Sequence, residues 1–184
     1  MANFVSNIVT VHMHKAKLLI AVSGMAAALW SATPCTAATT PVKGEKTISL
    51  AAGFAGYNTS ALAGLEFTYR FSRHFRLAPS ANYIFRHKGK DALTLNLNAH
   101  VPFDASQLLE IYPYAGLNYS SWNFHHNASE TDDVTTRKSR FGVNIGAGAN
   151  LRLPGNLRIG IAADYVLIKH FSGAEIFAKI GYQF

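Results

Sequence analysis

The sequence predicts an all-β protein, an eight-stranded antiparallel up-and-down transmembrane β-barrel. Three observations lead to this fold class. Apolar residues alternate with period two from Lys46 onward, which is the pattern of β-strands. The alternating segments are longer than the ~5 to 6 residues of ordinary globular strands and approach the ~9 to 11 residues of a tilted transmembrane strand. One face of the strands is apolar, whereas the other is rich in glycine, asparagine and serine.

A targeting segment is expected before the barrel. Residues 13–38 consist of a start with two lysines, an apolar stretch and then small residues, the order found in secretory signal peptides. We therefore expect residues 1–38 to be a signal peptide whose true start is Met13, and residues 39–184 to be the barrel domain. The single cysteine, Cys35, lies in the segment to be removed, so the mature chain would lack a thiol for a disulfide, a nucleophile or a metal site.

Eight strands are expected, separated by clusters of turn residues. The connections after the second, fourth and sixth strands are short. The others are polar and more variable, and the longest is residues 125–138. Short turns at one end and longer loops at the other are typical of outer-membrane barrels, whose turns face the periplasm. The predicted strands are residues 45–54, 61–71, 75–86, 92–102, 108–123, 139–152, 157–169 and 174–184.

The polar face decides between two kinds of barrel. A soluble barrel buries its apolar face, whereas a membrane barrel turns that face toward lipid and encloses a polar lumen. The polar face here has few of the lysine and glutamate side chains that cover a solvated sheet, and its small hydrogen-bonding residues suit a crowded interior. We therefore expect lipid on the apolar face, with aromatic girdles near the strand ends. The girdle residues are Phe54, Phe71, Phe85, Tyr119, Tyr165, Tyr182 and Phe184.

Charged residues of the polar face are expected to point into the lumen. An eight-stranded barrel is only wide enough for its own side chains. Buried charges must pair, because desolvation costs several kcal/mol per ion. We therefore expect a lumen plugged by hydrogen bonds and ion pairs. The predicted lumen charge network comprises Glu66, Arg70, Arg140, Arg158, Asp164, Glu175 and Lys179.

The last strand carries a family resemblance. It closes on Tyr182-Gln183-Phe184, with Ile180 and Tyr182 on the outward face, and resembles the C-terminal signal of outer-membrane proteins. With its size, strand pattern and signal peptide, the mature chain is similar to the small eight-stranded family that includes OmpX, Ail and the OmpA barrel. The resemblance implies a non-enzymatic integral protein of the cell outer membrane, with a structural, envelope-integrity or adhesion role carried by extracellular loops.

The expected partners follow from this resemblance and from the charge. The resemblance implies outer-membrane lipids, lipopolysaccharide, a host or surface ligand at the loops, and the assembly machinery that recognises the strand ending at Phe184. The formal net charge of +7 fits a phosphate-bearing partner, but its spread along the chain does not indicate nucleic acid. Arg86, Lys88 and Lys90 form a basic cluster on the loop side and are the candidate lipopolysaccharide contact. We expect a monomer that binds no metal or cofactor.

One short motif supports an enzymatic alternative. His170 and Ser172, followed by Glu175, resemble the His-x-Ser of the lipid A deacylase family, whose serine, histidine and glutamate form a hydrolase triad. Gly173 stands where that family has asparagine, and Glu175 follows Ser172 more closely than in the family. A plain loop is therefore the favoured interpretation. An ion-conducting pore and a soluble lipocalin-like binding barrel are the two further alternatives.

Overall fold

The computed structural model describes residues 43–127, 133–169 and 172–184, so the predicted signal peptide lies outside the described residues. Eight long strands and one two-residue strand form a single antiparallel sheet. The strands are β1 (Lys46–Ala55), β2 (Ser60–Ser72), β3 (Phe75–His87), β4 (Lys90–His100), β5 (Phe103–Asp104), β6 (Leu109–Asn127), β7 (Asp133–Arg152), β8 (Leu157–Ile168) and β9 (Gly173–Gln183).

The sheet closes on itself through its first and last strands. β1 pairs with β9 from Thr47↔Gln183 to Ala55↔Glu175, and β4 pairs directly with β6, with the short β5 lying in the connection between them. Each long strand therefore has a partner on both sides, which satisfies its backbone hydrogen-bonding groups within a bilayer. The predicted eight-stranded up-and-down barrel is confirmed.

The two ends of the barrel differ in strand length. At the hairpin end lie the connections 56–59 and 88–89, the end of β8, the start of β9 and the projecting β6–β7 hairpin, whose pairing continues to Asn127↔Asp133. At the terminal end lie the turns 73–74, 101–108 and 153–156, together with the start of β1 and the end of β9. The turn 153–156 contains the 3-10 helix Pro154–Asn156. None of the helices in the described ranges is long and apolar enough to cross a membrane.

The predicted contrast between short turns and long loops was wrong in two places. The connection between β3 and β4 is only Lys88 and Gly89, whose φ angles of 48° and 71° are those of a tight hairpin turn. The predicted long loop 125–138 is largely strand, because β6 extends to Asn127 and β7 begins at Asp133. The asymmetry between the ends therefore comes from the long β6–β7 hairpin.

The apolar face points outward and the polar face inward, as expected for a membrane barrel. Phe141 is 81% exposed and Leu117 64%, whereas Arg70 is 1% exposed and Glu110 is fully buried. A soluble barrel would show the reverse, so the lipocalin-like alternative was wrong. Aromatic side chains on the outer face lie near both ends. At the hairpin end they are Phe54, Tyr83, Phe85, Phe141 and Tyr165, and at the terminal end they are Phe71, Phe75, Phe103, Tyr182 and Phe184.

Candidate functional sites in the lumen and at the rim

The terminal end of the lumen is closed by an ionic cluster around Glu110. This buried carboxylate on β6 forms ion pairs with Arg70, with Arg76 (Nη1 to Oε1, 2.7 Å) and with Arg152 (Nη2 to Oε2, 2.8 Å). Arg158 lies 3.9 Å from Glu110 Oε1. Four arginines from β2, β3, β7 and β8 thus converge on one carboxylate, which is why they can remain charged in a packed lumen.

A second carboxylate completes this ionic layer. Glu45, just before β1, pairs with Arg158 and lies 3.5 Å from Arg70 Nε. Gln183 on β9 accepts two hydrogen bonds from Arg158, at 3.0 and 2.6 Å. Residues that flank the seam between the first and last strands therefore bind the same arginine and link the lumen network to barrel closure.

The middle of the lumen is polar and tightly filled. Lys179 on β9 donates to Glu66 on β2, over the intervening β1, with 2.6 Å between Nζ and Oε2. An asparagine ladder lies beside this pair. Asn118 and Asn144 donate to Asn96 Oδ1 at 2.5 and 2.9 Å. Two cavities near these residues have volumes of about 10 Å³ each, so each has room for about one water.

An apolar layer closes the hairpin end of the lumen. Tyr57, in the connection between β1 and β2, folds over it, and its ring lies edge-on to that of Trp122 with 5.9 Å between centroids. The Tyr57 hydroxyl donates to Glu175. Burial raises the pKa of the Tyr57 phenol and the nearby Glu175 carboxylate raises it further, so the phenol keeps the proton that it donates. The buried apolar side chains of this layer are Ala55, Leu62, Ile84, Trp122, Val166 and Ile168.

The structure distributes the seven predicted network residues over three levels of the lumen. Arg70 and Arg158 lie in the ionic layer, and Glu66 and Lys179 pair in the middle. Asp164 and Glu175 are buried nearer the hairpin end, each bonded to a tyrosine. Arg140 is half-buried on β7, opposite Ser120 on β6.

The central anion of the network, Glu110, was missed by the sequence reasoning. Its parity within the alternating segment was a signal for an inward position, since Tyr112 and Tyr114 share that parity and are also buried. Glu45 was missed as well, although it is the first residue of the predicted strand 45–54 and shares the parity of the buried Thr47 and Ser49.

Basic side chains surround the hairpin end of four neighbouring strands. Lys90 and Lys138 each place Nζ 5.8 Å from the centre of the Phe124 ring. Register brings them together, because Lys90 pairs with Phe124 and Lys138 pairs with the adjacent Trp122. We call these side chains the basic rim. It consists of Arg86, Lys88, Lys90, Arg137 and Lys138.

The basic rim is partly ordered by neighbouring polar groups. Arg86 lies 2.9 Å from His125 Nε2 and 3.7 Å from Asp91 Oδ1, yet its side chain is 58% exposed. Asp91 also contacts His125 Nε2 at 2.7 Å and accepts from Asn123 at 2.9 Å. One buried carboxylate thus helps to position Arg86 while more than half of the Arg86 side chain stays exposed. Arg137 and Lys138 were not among the predicted contact residues, because their segment was taken for a loop.

The described residues of the proposed hydrolase motif make contacts unlike those of a triad. His170 lies outside the described residues. The Ser172 hydroxyl donates to the Ile168 carbonyl at 2.8 Å and accepts from the Ile168 amide at 3.1 Å, which stabilises the turn. Glu175 is buried in the lumen and accepts from Tyr57. Ser172 and Glu175 are therefore each engaged with a different partner.

Comparison with known proteins identifies the family. The family described as outer membrane protein beta-barrel domain matches residues 18–184. The chain belongs to this family. As a member of it, the protein is an outer-membrane β-barrel, and its place is the bacterial outer membrane. Within the described part of the chain, no group of three or more histidine, cysteine, aspartate or glutamate side chains could hold a metal ion.

Several solved structures share this fold. The N-terminal barrel of Pseudomonas aeruginosa OprF is 21% identical, covering 77% of this chain and 98% of that chain, with a TM-score of 0.62. Ail of Yersinia pestis is 18% identical, covering 78% and 100%, with a TM-score of 0.57. Neisserial surface protein A is 16% identical, covering 76% and 95%, with a TM-score of 0.55. No similar sequence was found among curated proteins.

Proposed function

We propose that this outer-membrane barrel is a non-enzymatic envelope protein whose basic rim binds the phosphate groups of lipopolysaccharide. The observation that carries the proposal is the convergence of five cationic side chains from β3, β4, β7 and the β3–β4 turn, at the level where the exposed apolar belt ends. Lysine and arginine bind phosphate through charge-assisted hydrogen bonds. A lipid whose acyl chains pack on the belt could therefore place its phosphates against the rim.

The hairpin end is assigned to the cell exterior in this proposal. Outer-membrane barrels have short periplasmic turns and longer extracellular segments. The β6–β7 hairpin is the longest projection in the described residues, and it lies beside the basic rim. Lipopolysaccharide occupies the outer leaflet, so this orientation brings the rim to the lipid that carries phosphate.

The remaining parts of the proposal concern the barrel body. The ionic and apolar layers at the two ends of the lumen support a structural role in envelope integrity over transport. Ail has been crystallised with the heparin analogue sucrose octasulfate, a polyanion. This similarity of fold supports an anionic surface ligand at the loops as a second partner of the basic rim.

We further propose signal-peptide removal, recognition of the strand ending at Phe184 by the assembly machinery, and a monomeric state.

The basic rim can be tested by charge removal at two ends of the same barrel. The rim variant replaces Arg86, Lys88 and Lys90 with glutamine. The control variant makes the same change at Lys43, Lys46 and Arg73, exposed cations of the terminal end. We expect the rim variant to bind purified lipopolysaccharide in detergent micelles at least tenfold more weakly, and the control to bind like the wild type. Equal weakening in both variants, or no difference between lipopolysaccharide and its dephosphorylated form, would contradict the proposal.

A further inference from the structure

Two buried carboxyl groups face each other in the lumen, and the described residues place no cation against them. Asp164 on β8 is the cross-strand partner of Glu175 on β9. Their exposed fractions are 8% and 4%. We propose that Asp164 and Glu175 form a proton-binding pair, in which the folded barrel holds one proton at neutral pH.

The strands on either side of the pair supply no charge. Along the same row of the sheet, Asp164 pairs with Gly146 of β7, and Glu175 pairs with Ala55 of β1. Directly opposed residues of antiparallel strands have Cβ atoms roughly 4.5 to 5.5 Å apart. Two ionised carboxylates at that separation, both buried, repel each other strongly, and one bound proton removes most of this repulsion.

The hydrogen bonds around the pair leave one oxygen open. Tyr114 on β6 donates to Asp164 Oδ2 at 3.0 Å, and Tyr57 donates to Glu175. Asp164 Oδ1 is buried and has no hydrogen-bond partner among the described residues. This residue lines the cavity of about 10 Å³ in the middle of the lumen. Because Tyr114 donates to Oδ2, Oδ1 is the oxygen that is free to carry a proton, and we assign the proton to it.

The other charged groups near the pair do not neutralise it. Lys179 lines the same cavity as Asp164, but its ammonium group is 2.6 Å from Glu66 Oε2 and is neutralised there. Glu66 also lines the cavity and adds negative charge. The described residues place no lysine, arginine or histidine nitrogen within 4.0 Å of either Asp164 or Glu175. Uptake of a proton from solvent is therefore the change that restores charge balance at this level of the lumen.

Stability measured against pH provides the test. In the unfolded chain both carboxyl groups lose their protons above about pH 5. The folded barrel keeps one proton to higher pH, so unfolding releases a proton and the folding equilibrium constant falls as pH rises, by at most about tenfold per pH unit. We expect Asp164→Asn and Glu175→Gln to remove this part of the dependence, measured as urea midpoints in micelles between about pH 5 and pH 8.

The direction of the effect separates this site from an ordinary ion pair. At pH 8 each amide variant is expected to unfold at higher urea than the wild type, because the repulsion is gone. Glu66→Gln is the matched control, and it should lower the urea midpoint because Lys179 loses its partner. Lower midpoints in Asp164→Asn and Glu175→Gln at every pH would overturn the proposal.

Infrared spectroscopy gives a second measurement that does not depend on unfolding. The folded wild type at pH 7 is expected to show the carbonyl stretch of a protonated carboxylic acid, and Asp164→Asn is expected to lose it. Absence of the band in the wild type, or a pH profile that changes on addition of a divalent metal salt, would replace the proton by a bound cation and sink the proposal.

Discussion

A single glutamate holds the terminal end of the lumen together. Glu110 is fully buried and lies within ion-pair distance of four arginines, the farthest of which, Arg158, is 3.9 Å away. Its two oxygens are shared, so its loss leaves Arg76 without a carboxylate partner and removes one of two carboxylates from each of the other three arginines. Removing one partner of a buried ion pair commonly costs more than the intact pair contributes.

We expect Glu110→Gln to lower the free energy of unfolding by about 3 to 5 kcal/mol. The amide keeps the shape of the side chain but not its charge, so packing is preserved while the four arginines lose the counter-charge that they share. Urea titration of the folded barrel in micelles measures the effect. Asp104→Asn is the control, because Asp104 contacts only Arg152 of this cluster and its side chain is 24% exposed. An equal loss in both variants would show that Glu110 has no central role.

The sequence predicts the direction of these side chains better than their partners. Period-two alternation placed Arg70, Arg158 and Lys179 inward because parity depends only on the pleat of the strand. Partners depend on register and on which strands face each other across the lumen. Lys179 bonds to Glu66, two strands away through β1, and nothing in the spacing of the two residues along the chain specifies that contact.

At the scale of the strands, the sequence rules fail where the strand leaves the membrane. Between His125 and Lys138 both faces of the segment are polar, so no alternation distinguishes strand from loop. The structure nevertheless continues the pairing to Asn127↔Asp133, because cross-strand hydrogen bonds do not require an apolar face. The connection at Lys88–Gly89 is also shorter than the sequence predicts, because the polar residues on either side of this tight turn resemble those of a loop.

The glycines of β7 allow large side chains to cross the lumen. A Cβ atom at Gly148 would lie 2.8 Å from Tyr112 Cε2 and closer still to the end of that ring. The ring cannot move aside easily, because it stacks on His100 at 4.8 Å and lies under the Arg76 guanidinium at 4.7 Å. The Tyr112 ring therefore occupies the space that a side chain at position 148 would need.

We expect Gly148→Val to lower the free energy of unfolding by about 1 to 3 kcal/mol, the usual cost of overpacking. Ala147→Val is the matched control, since Ala147 is the preceding residue and faces outward. Tyr112→Ala combined with Gly148→Val should recover part of the loss by emptying the space. Urea midpoints of the wild type, the three single variants and the double variant provide the measurement. A double variant whose loss of stability exceeds the summed losses of Tyr112→Ala and Gly148→Val would contradict this account.

The whole molecule is closed at two independent levels. The ionic layer around Glu110 fills the terminal end, and the apolar layer under Tyr57 and Trp122 fills the hairpin end. The lumen between them has cavities of about 10 Å³. A continuous water path would have to displace both layers at once, and they are stabilised by different forces.

We therefore expect the protein to show no stepwise conductance in planar lipid bilayers. Trp122→Ala should also remain silent, because it thins only the apolar layer and leaves the arginine cluster in place. Single-channel recording at several voltages is the measurement. Discrete openings of the wild type would contradict the closed lumen, and openings of Trp122→Ala alone would show that the arginine cluster does not block ions.

The seam between β1 and β9 governs when the barrel can form. Thr47 pairs with Gln183 and Ala55 with Glu175, so residues from opposite ends of the chain must meet before the cylinder is complete. Contacts at such sequence separation form slowly, because the intervening chain must first lose its freedom. Before the seam closes, every intermediate sheet has two unpaired edge strands and an exposed apolar face. A chaperone that binds the newly made chain before membrane insertion would thus act mainly during this interval. Shortening β9 would prolong the interval.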